Sequence, residues 1–143
     1  MAIQKHGSAQ WRGGLKDGRG SVSTESGALK QQPYGFKARF EGVAGTNPEE
    51  LIGAAHAACF TMALSKMLEE AGSPAERLET FAKVSLDKVG EGFEITAIAL
   101  SLEGRVPGMD EAKFKEIAEQ AKVGCPVSKA LKAVPITLST SFA

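Results

Sequence analysis

From Asn47 to Gly72 the chain reads NPEELIGAAHAACFTMALSKMLEEAG, and this stretch constrains the fold more than any other. Asn47 suits an N-cap, where its side-chain oxygen accepts an otherwise orphaned backbone N–H. Pro48 fits the first helical position, where no N–H is needed and φ is already correct. Glu50 stands at capping-box spacing from Asn47, and Glu49 adds charge favoured at a helix start. Gly72 can take the left-handed conformation that ends a helix. Start and stop signals thus define one helix of about seven turns. From Leu51 to Leu64 it carries no charge, and only Gly53, His56 and Thr61 are not apolar. A helix apolar on all sides is buried on all sides. The uncharged run is under roughly 18 residues and is flanked by Glu49, Glu50 and Lys66, which argues for a core helix over a membrane span. The small residues Gly53, Ala54, Ala55, Ala57 and Ala58 let another backbone come close.

Burying such a helix sets the architecture. Ile3 to Trp11 and Gly18 to Glu25 read as strands of a hairpin, with turn signals at Gly13-Gly14 and Asp17-Gly18. Gln31 to Thr46 holds Pro33, Gly35, Gly42 and Gly45 and is expected to be irregular, with a short extended piece over Phe36 to Phe40. Long loops of this kind are often functional. After Gly72, Glu79 to Asp87 is a strand with Phe81, Val84 and Leu86 inward. Phe93 to Leu102 is a second strand, apolar on both faces and therefore expected to be covered on both. Asp110 caps a helix running to about Val123 with Phe114, Ile117, Ala118 and Ala121 as its buried stripe. Cys125 and Pro126 open a short helix to about Lys132, and Ile136 to Phe142 is the last strand. The fold class is α+β, with antiparallel or mixed sheets packed around a long buried central helix. The 143 residues suit a single domain. One sheet covers only one side of the central helix, so a homodimer is expected in which the partner covers the rest.

Composition narrows the function. Seventeen basic and seventeen acidic residues give zero net charge. Nucleic acid and anionic membranes both call for clustered positive charge, so neither is the expected partner. The start, MAIQKHGSAQW, lacks the apolar core of a signal peptide, and a cytoplasmic location is expected. There the two cysteines are not expected to form a static structural disulfide.

Cys59 and Cys125 form no CxxC motif. Cys125 lies between Gly124 and Pro126, at the expected N-cap of a helix, where the helix dipole favours thiolate. Cys59 lies mid-helix, where burial alone raises a thiol's pKa and leaves it inert. Chemistry at Cys59 therefore needs a cation, and His56 and Arg39 are the candidates. The alternative is packing, the commoner role of a buried free cysteine. A metal site of His56, Cys59, Cys125 and His6 lacks the local ligand pairs usual for zinc. Glu49 and Glu50 suit helix-start electrostatics. They can also hold Arg39, whose planar fork matches a carboxylate and leaves donors for a ligand. Arg77 and Arg105 flank turns and are expected to be solvated.

GTNPEELIGAAHAACFTMAL, with RFEG upstream and GCPVS downstream, resembles the OsmC branch of the OsmC/Ohr family of bacterial hydroperoxide-stress proteins. SVSTESGALKQQPYGF and VSLDKVGEGFEITAIAL extend the resemblance over essentially the whole chain. It implies an intertwined homodimer with active sites at the subunit interface. It also implies a thiol-dependent peroxidase, an enzyme of oxidative and osmotic stress defence. Such enzymes reduce organic hydroperoxides, and hydrogen peroxide less well, without haem or other cofactor. Cys59 falls on the family's peroxidatic cysteine, Cys125 on its resolving cysteine, Arg39 on its arginine and Glu49 on its glutamate. An external dithiol, on the family pattern a lipoylated protein, would regenerate the thiols. Phe36, Phe40, Leu51, Ile52 and Phe60 are candidate apolar surroundings for the substrate's organic tail. A second reading is a non-catalytic, stress-induced protein holding a small ligand in an apolar interface cavity; it needs no second thiol.

Overall fold

The structure, a computed structural model, describes residues 2–143. The chain divides into two compact units, Met1–Leu51 and Ile52–Ala143.

In the first unit β1 (Gly7–Arg12), β2 (Arg19–Thr24) and β3 (Gln32–Tyr34) form an antiparallel sheet in that order. Gly7 pairs with Thr24 and Arg12 with Arg19, as a hairpin turning at Gly13-Gly14 requires. The first strand begins at Gly7, so the expected extension back to Ile3 is absent. Pro33, which cannot donate to a ladder, lies in the edge strand β3. Gly20 sits between the rings of Trp11 and Tyr34, whose centroids are 5.6 Å apart. A Cβ there would meet Trp11 at 2.5 Å and Tyr34 at 2.7 Å, so only glycine fits.

Phe36–Phe40 is a helical turn, α1, and not the extended piece expected from its letters. Phe36 and Phe40 lie one turn apart and their rings pack at 5.0 Å, a pairing that a helix permits and a strand does not. The Arg39 N–H donates to the Gly35 carbonyl at 3.1 Å and closes the turn. Glu49 is the sole buried residue among the described residues of this unit.

The central helix, α2, spans Pro48–Glu70. The Glu50 N–H donates to Asn47 Oδ1 at 2.8 Å, the expected cap. The Glu50 carboxylate accepts from the Thr46 hydroxyl at 2.8 Å. Gly72 has φ of +87° beyond the far end. An 18-residue window of α2 reaches a mean hydropathy of 1.4, so length and composition alone admit a membrane span. Its residues Phe60, Leu64 and Leu68 are instead fully buried in protein.

The second unit carries β4 (Arg77–Val89), β5 (Gly92–Arg105) and β6 (Ile136–Phe142) in a mixed sheet. β4 and β5 are an antiparallel hairpin, and β6 runs parallel to β5 with Ile98 opposite Ile136. α3 (Glu111–Gly124) starts where Asp110 Oδ1 accepts the Lys113 N–H at 2.7 Å. It buries Phe114, Ile117, Ala118 and Ala121, the stripe read from its spacing. α4 (Pro126–Ala130) follows directly, with Cys125 between the two helices as the C-cap of one and the N-cap of the other. Gly53 brings α2 close to β4, because a Cβ there would lie 3.3 Å from the Ala82 carbonyl.

Three further expectations need correction. Within this chain α2 is buried along one side only: Ala54, Ala55 and Ala58 are exposed, and Met62 is 75% exposed. Phe81 is 69% exposed, because the inward residues of β4 are Leu78, Thr80, Ala82 and Val84. Leu86 lies five positions from Phe81, an odd separation that alternation turns to the opposite face, and the register shift at Ser85/Leu86 passes over Thr96 of β5. On β5 the face of Ile98, Leu100 and Leu102 is buried, whereas the opposite face carries Phe93 at 53% exposure and is not fully covered.

Gly104 on β5 meets α3 so closely that a Cβ would fall 2.3 Å from Phe114 Cζ. Gly104→Ala is therefore expected to destabilise the chain by about 1–3 kcal/mol, the usual range for overpacking a filled core. Urea denaturation would register this as a lowered midpoint at unchanged slope.

Candidate active site

Arg39 and Glu49 form a fork-to-fork pair within the first unit. Arg39 Nε donates to Glu49 Oε1 at 3.0 Å and Nη2 to Oε2 at 2.9 Å. The local sequence explains the meeting: α1 presents Arg39 in its last turn, and α2 presents Glu49 in its first. Bidentate geometry fixes the guanidinium plane and leaves its other edge for a further acceptor. The guanidinium also lies over the Phe40 ring, 5.3 Å from its centroid. Glu50, the other candidate carboxylate, caps the helix and does not join the pair.

Cys59 and Cys125 meet within the second unit. Neither is in a disulfide; Cys59 is partly exposed and Cys125 is fully buried. The two thiols are near enough for each to shift the pKa of the other. Burial pushes the Cys59 thiol up, and its hydrogen bond to Cys125 pushes it further, against a smaller opposing bond from the Val127 backbone. Burial would also raise Cys125. Burial is the largest single influence there, but the opposing contributions of Cys59, Ser128 and the Val127 backbone together outweigh it, and the Cys125 thiol lies below its ordinary range. Cys125 is therefore the more acidic thiol of the two, while the thiol that solvent can reach is Cys59. Reading the helix cap from the sequence leads to the same order of acidities.

His56 is fully buried one turn before Cys59 on α2. Its Nε2 lies 2.7 Å from Ser128 Oγ on α4. Desolvation lowers its pKa, so it is neutral near pH 7 and is not the cation that Cys59 was expected to need. Ser128, the last residue of the GCPVS motif, is the site residue that sequence reasoning passed over; its i, i+3 spacing from Cys125 is the available signal. His6 pairs with Glu25 at 3.0 Å in the first unit. No group of three or more His, Cys, Asp or Glu side chains converges on a metal position among the described residues. Phe60 belongs to the core of the second unit, and Arg77 and Arg105 form exposed ion pairs with Glu79 and Glu76.

Comparison with known proteins agrees with these features. The family model described as "OsmC-like protein" matches residues 40–139. The chain is 63% identical over 133 residues to Peroxiredoxin OsmC of Escherichia coli (strain K12), covering 93% of each. It is 33% identical over 115 residues to Organic hydroperoxide resistance protein OhrB of Bacillus subtilis (strain 168), covering 79% of this chain and 82% of that protein. The crystal structure of Bacillus subtilis OhrB superposes with a TM-score of 0.71 at 30% identity, over 95% of this chain and 98% of that one. The chain belongs to the OsmC-like protein family, and its fold is that of the OsmC and Ohr proteins.

The neutral, desolvated His56 makes stability depend on pH. Its folded pKa lies below the unfolded value of 6.5, so the unfolded chain binds the proton more readily. Its contribution is therefore complete above about pH 6.5 and is lost as pH falls below that value toward the folded pKa. The urea midpoint is expected to drop between about pH 7.5 and pH 5.5, and to drop less in a His56→Gln variant. Equal drops in the two proteins would assign the effect to other groups.

Proposed function

We propose that this protein is a thiol-dependent peroxidase that reduces organic hydroperoxides to alcohols in stress defence. The observation that carries the reading is the contact between two free, interacting thiols, one reachable and one buried, in a chain 63% identical to a protein named Peroxiredoxin OsmC. The Cys59 sulfur, as thiolate, attacks the terminal peroxide oxygen; an S–O bond forms, the O–O bond breaks, and the alkoxide leaves as alcohol after taking a proton. Cys59 is then a sulfenic acid. The Cys125 thiolate attacks it, an S–S bond forms, the S–O bond breaks, and the hydroxide leaves as water after taking a proton. An external dithiol returns both cysteines to the reduced state by exchange and is itself oxidised to a disulfide. No cofactor enters these steps.

The partial exposure of Cys59 and the full burial of Cys125 favour Cys59 as the attacking sulfur. Arg39 and Glu49 take the roles that the family resemblance gives them: Arg39 stabilises the attacking thiolate and hydrogen-bonds the peroxide, and Glu49 holds its guanidinium. The bidentate bond supports the second of these roles. The reductant is proposed to be a lipoylated protein and the location cytoplasmic, as expected from the sequence.

A homodimer also belongs to this reading. Its support is an exposed apolar stripe on α2, the open face of β5, and a first unit in which Glu49 alone is buried among the described residues. Light scattering at micromolar concentration is expected to give twice the 15.0 kDa chain mass. A mass of one chain would remove the dimer.

A single-turnover experiment tests the activity. One equivalent of cumene hydroperoxide added to the reduced protein is expected to convert both thiols to an intrachain Cys59–Cys125 disulfide, faster than hydrogen peroxide does. Cys59→Ser should lose the turnover, by at least about a thousandfold, the scale at which an enzyme loses its nucleophile. Cys125→Ser should consume one equivalent and stop at a dimedone-reactive sulfenic acid. Turnover that survives Cys59→Ser and disappears in Cys125→Ser would reverse the two roles. Thiols left intact by both peroxides would favour the ligand-binding alternative.

A further inference from the structure

Two buried side chains beside Cys125 take no part in the redox steps above, and they are bonded to each other. His56 on α2 and Ser128 on α4 lie 72 positions apart in sequence, yet Nε2 and Oγ are 2.7 Å apart. His56 is 0% exposed and Ser128 5%. Ser128 follows Cys125 by three residues in the turn that opens α4, Cys125 is likewise fully buried, and the Ser128 side chain is among the groups that draw the Cys125 thiol down. His56 on α2 is thus joined through the Ser128 hydroxyl to the turn of α4 that carries Cys125.

Proton counting gives each bond a direction. A serine hydroxyl has one hydrogen to donate, and a neutral imidazole has one N–H. His56 Nδ1 is buried and has no hydrogen-bond partner among the described residues. A proton on Nδ1 would leave a buried donor orphaned, and the Ser128 proton would then be used on Nε2. With the proton on Nε2 the unpaired atom is an acceptor, a less costly orphan than an N–H. The Ser128 proton is then free to point at sulfur.

We propose that Ser128 and His56 are positioning residues for Cys125: His56 Nε2–H donates to Ser128 Oγ, and Ser128 Oγ–H donates to the Cys125 sulfur and stabilises its anion. This rests on the reading of Cys125 as the resolving thiol. The chain of donors acts twice in the cycle. It keeps Cys125 anionic for attack on the Cys59 sulfenic acid. It acts again when an external thiolate attacks the Cys59 sulfur of the disulfide. The S–S bond then breaks, and its electron pair goes to Cys125, where the Ser128 proton meets it by hydrogen bond. A less basic thiolate leaves faster, so the pair favours regeneration as well as resolution. His56 keeps its proton throughout. The charged groups nearby are Lys122 on α3 and Lys129 on α4, which with Ser128 line an open cavity of about 460 Å³. Beyond His56 and Ser128, the buried cluster that contains Cys125 is apolar.

The test uses full-length protein carrying Cys59→Ser, so that Cys125 is the one thiol left, and reads thiolate absorbance against pH. Adding Ser128→Ala is expected to raise the apparent pKa of Cys125 by about one unit, a tenfold loss of thiolate at a pH below both values. Ser128→Thr, which keeps the hydroxyl, should restore it to within a few tenths. If a folded Ser128→Ala variant titrates like its Cys59→Ser parent, the proposal fails. Should that variant not fold, the imidazole nitrogen shifts of His56 in the Cys59→Ser parent decide the matter. A proton on Nε2 supports the proposal, and a proton on Nδ1 overturns it. No peroxide enters either measurement, so a protein that shows the shift but does not consume hydroperoxide would lose the peroxidase reading and keep the network.

Discussion

The buried seam of Phe60, Leu64 and Leu68 on α2, packed in one cluster with Ile98 and Leu100 of β5 and Phe114 of α3, holds the second unit together. Burying a side chain of this size contributes about 1.5–3 kcal/mol each. That seam sets the rotation of α2 about its own axis. The rotation in turn places His56 and Cys59 toward α4, and Ala54, Ala58 and Met62 away from the core. Gly53 permits the approach to β4, and the Thr61 hydroxyl bonds Thr80 on that strand at 2.7 Å. A reactive cysteine on such a helix inherits the rigidity of the core beside it.

Burial explains the division of labour between the two thiols better than either thiol alone. A sulfur closed off from water keeps its negative charge only where donors surround it. Cys59 and Ser128 help draw the Cys125 thiol below its ordinary range against burial. Cys59 has the access, and burial and Cys125 both push its thiol up.

Local signals were legible in the sequence because their partners are a few residues away. Asn47, Pro48, Gly72 and Asp110 mark helix ends, and the structure uses Asn47 and Asp110 as caps. The four buried residues of α3 follow from spacing alone. Phe36–Phe40 misled because alternating aromatic and polar letters suit a strand, while the i, i+4 ring contact that settles the helix is visible only in three dimensions. Phe81 misled because it lies an odd number of positions from Val84 and Leu86, so strand alternation turns it to the opposite face of β4. In the candidate site, Arg39, Glu49, Cys59 and Cys125 were singled out through motif, not through periodicity. Ser128 was not, since its partner His56 is 72 positions away and a serine in a short helix draws no notice.

The Gly20 gap between two rings has an optical consequence. Trp11 is the single tryptophan of the chain and Tyr34 the single tyrosine. Both belong to the first unit, with centroids 5.6 Å apart, close enough for excitation absorbed by the phenol to pass to the indole. The second unit has only phenylalanine as an aromatic. Near-ultraviolet emission is therefore a private signal of the strand pairing β1–β2–β3, separable without any label from the far-ultraviolet dichroism of the helices.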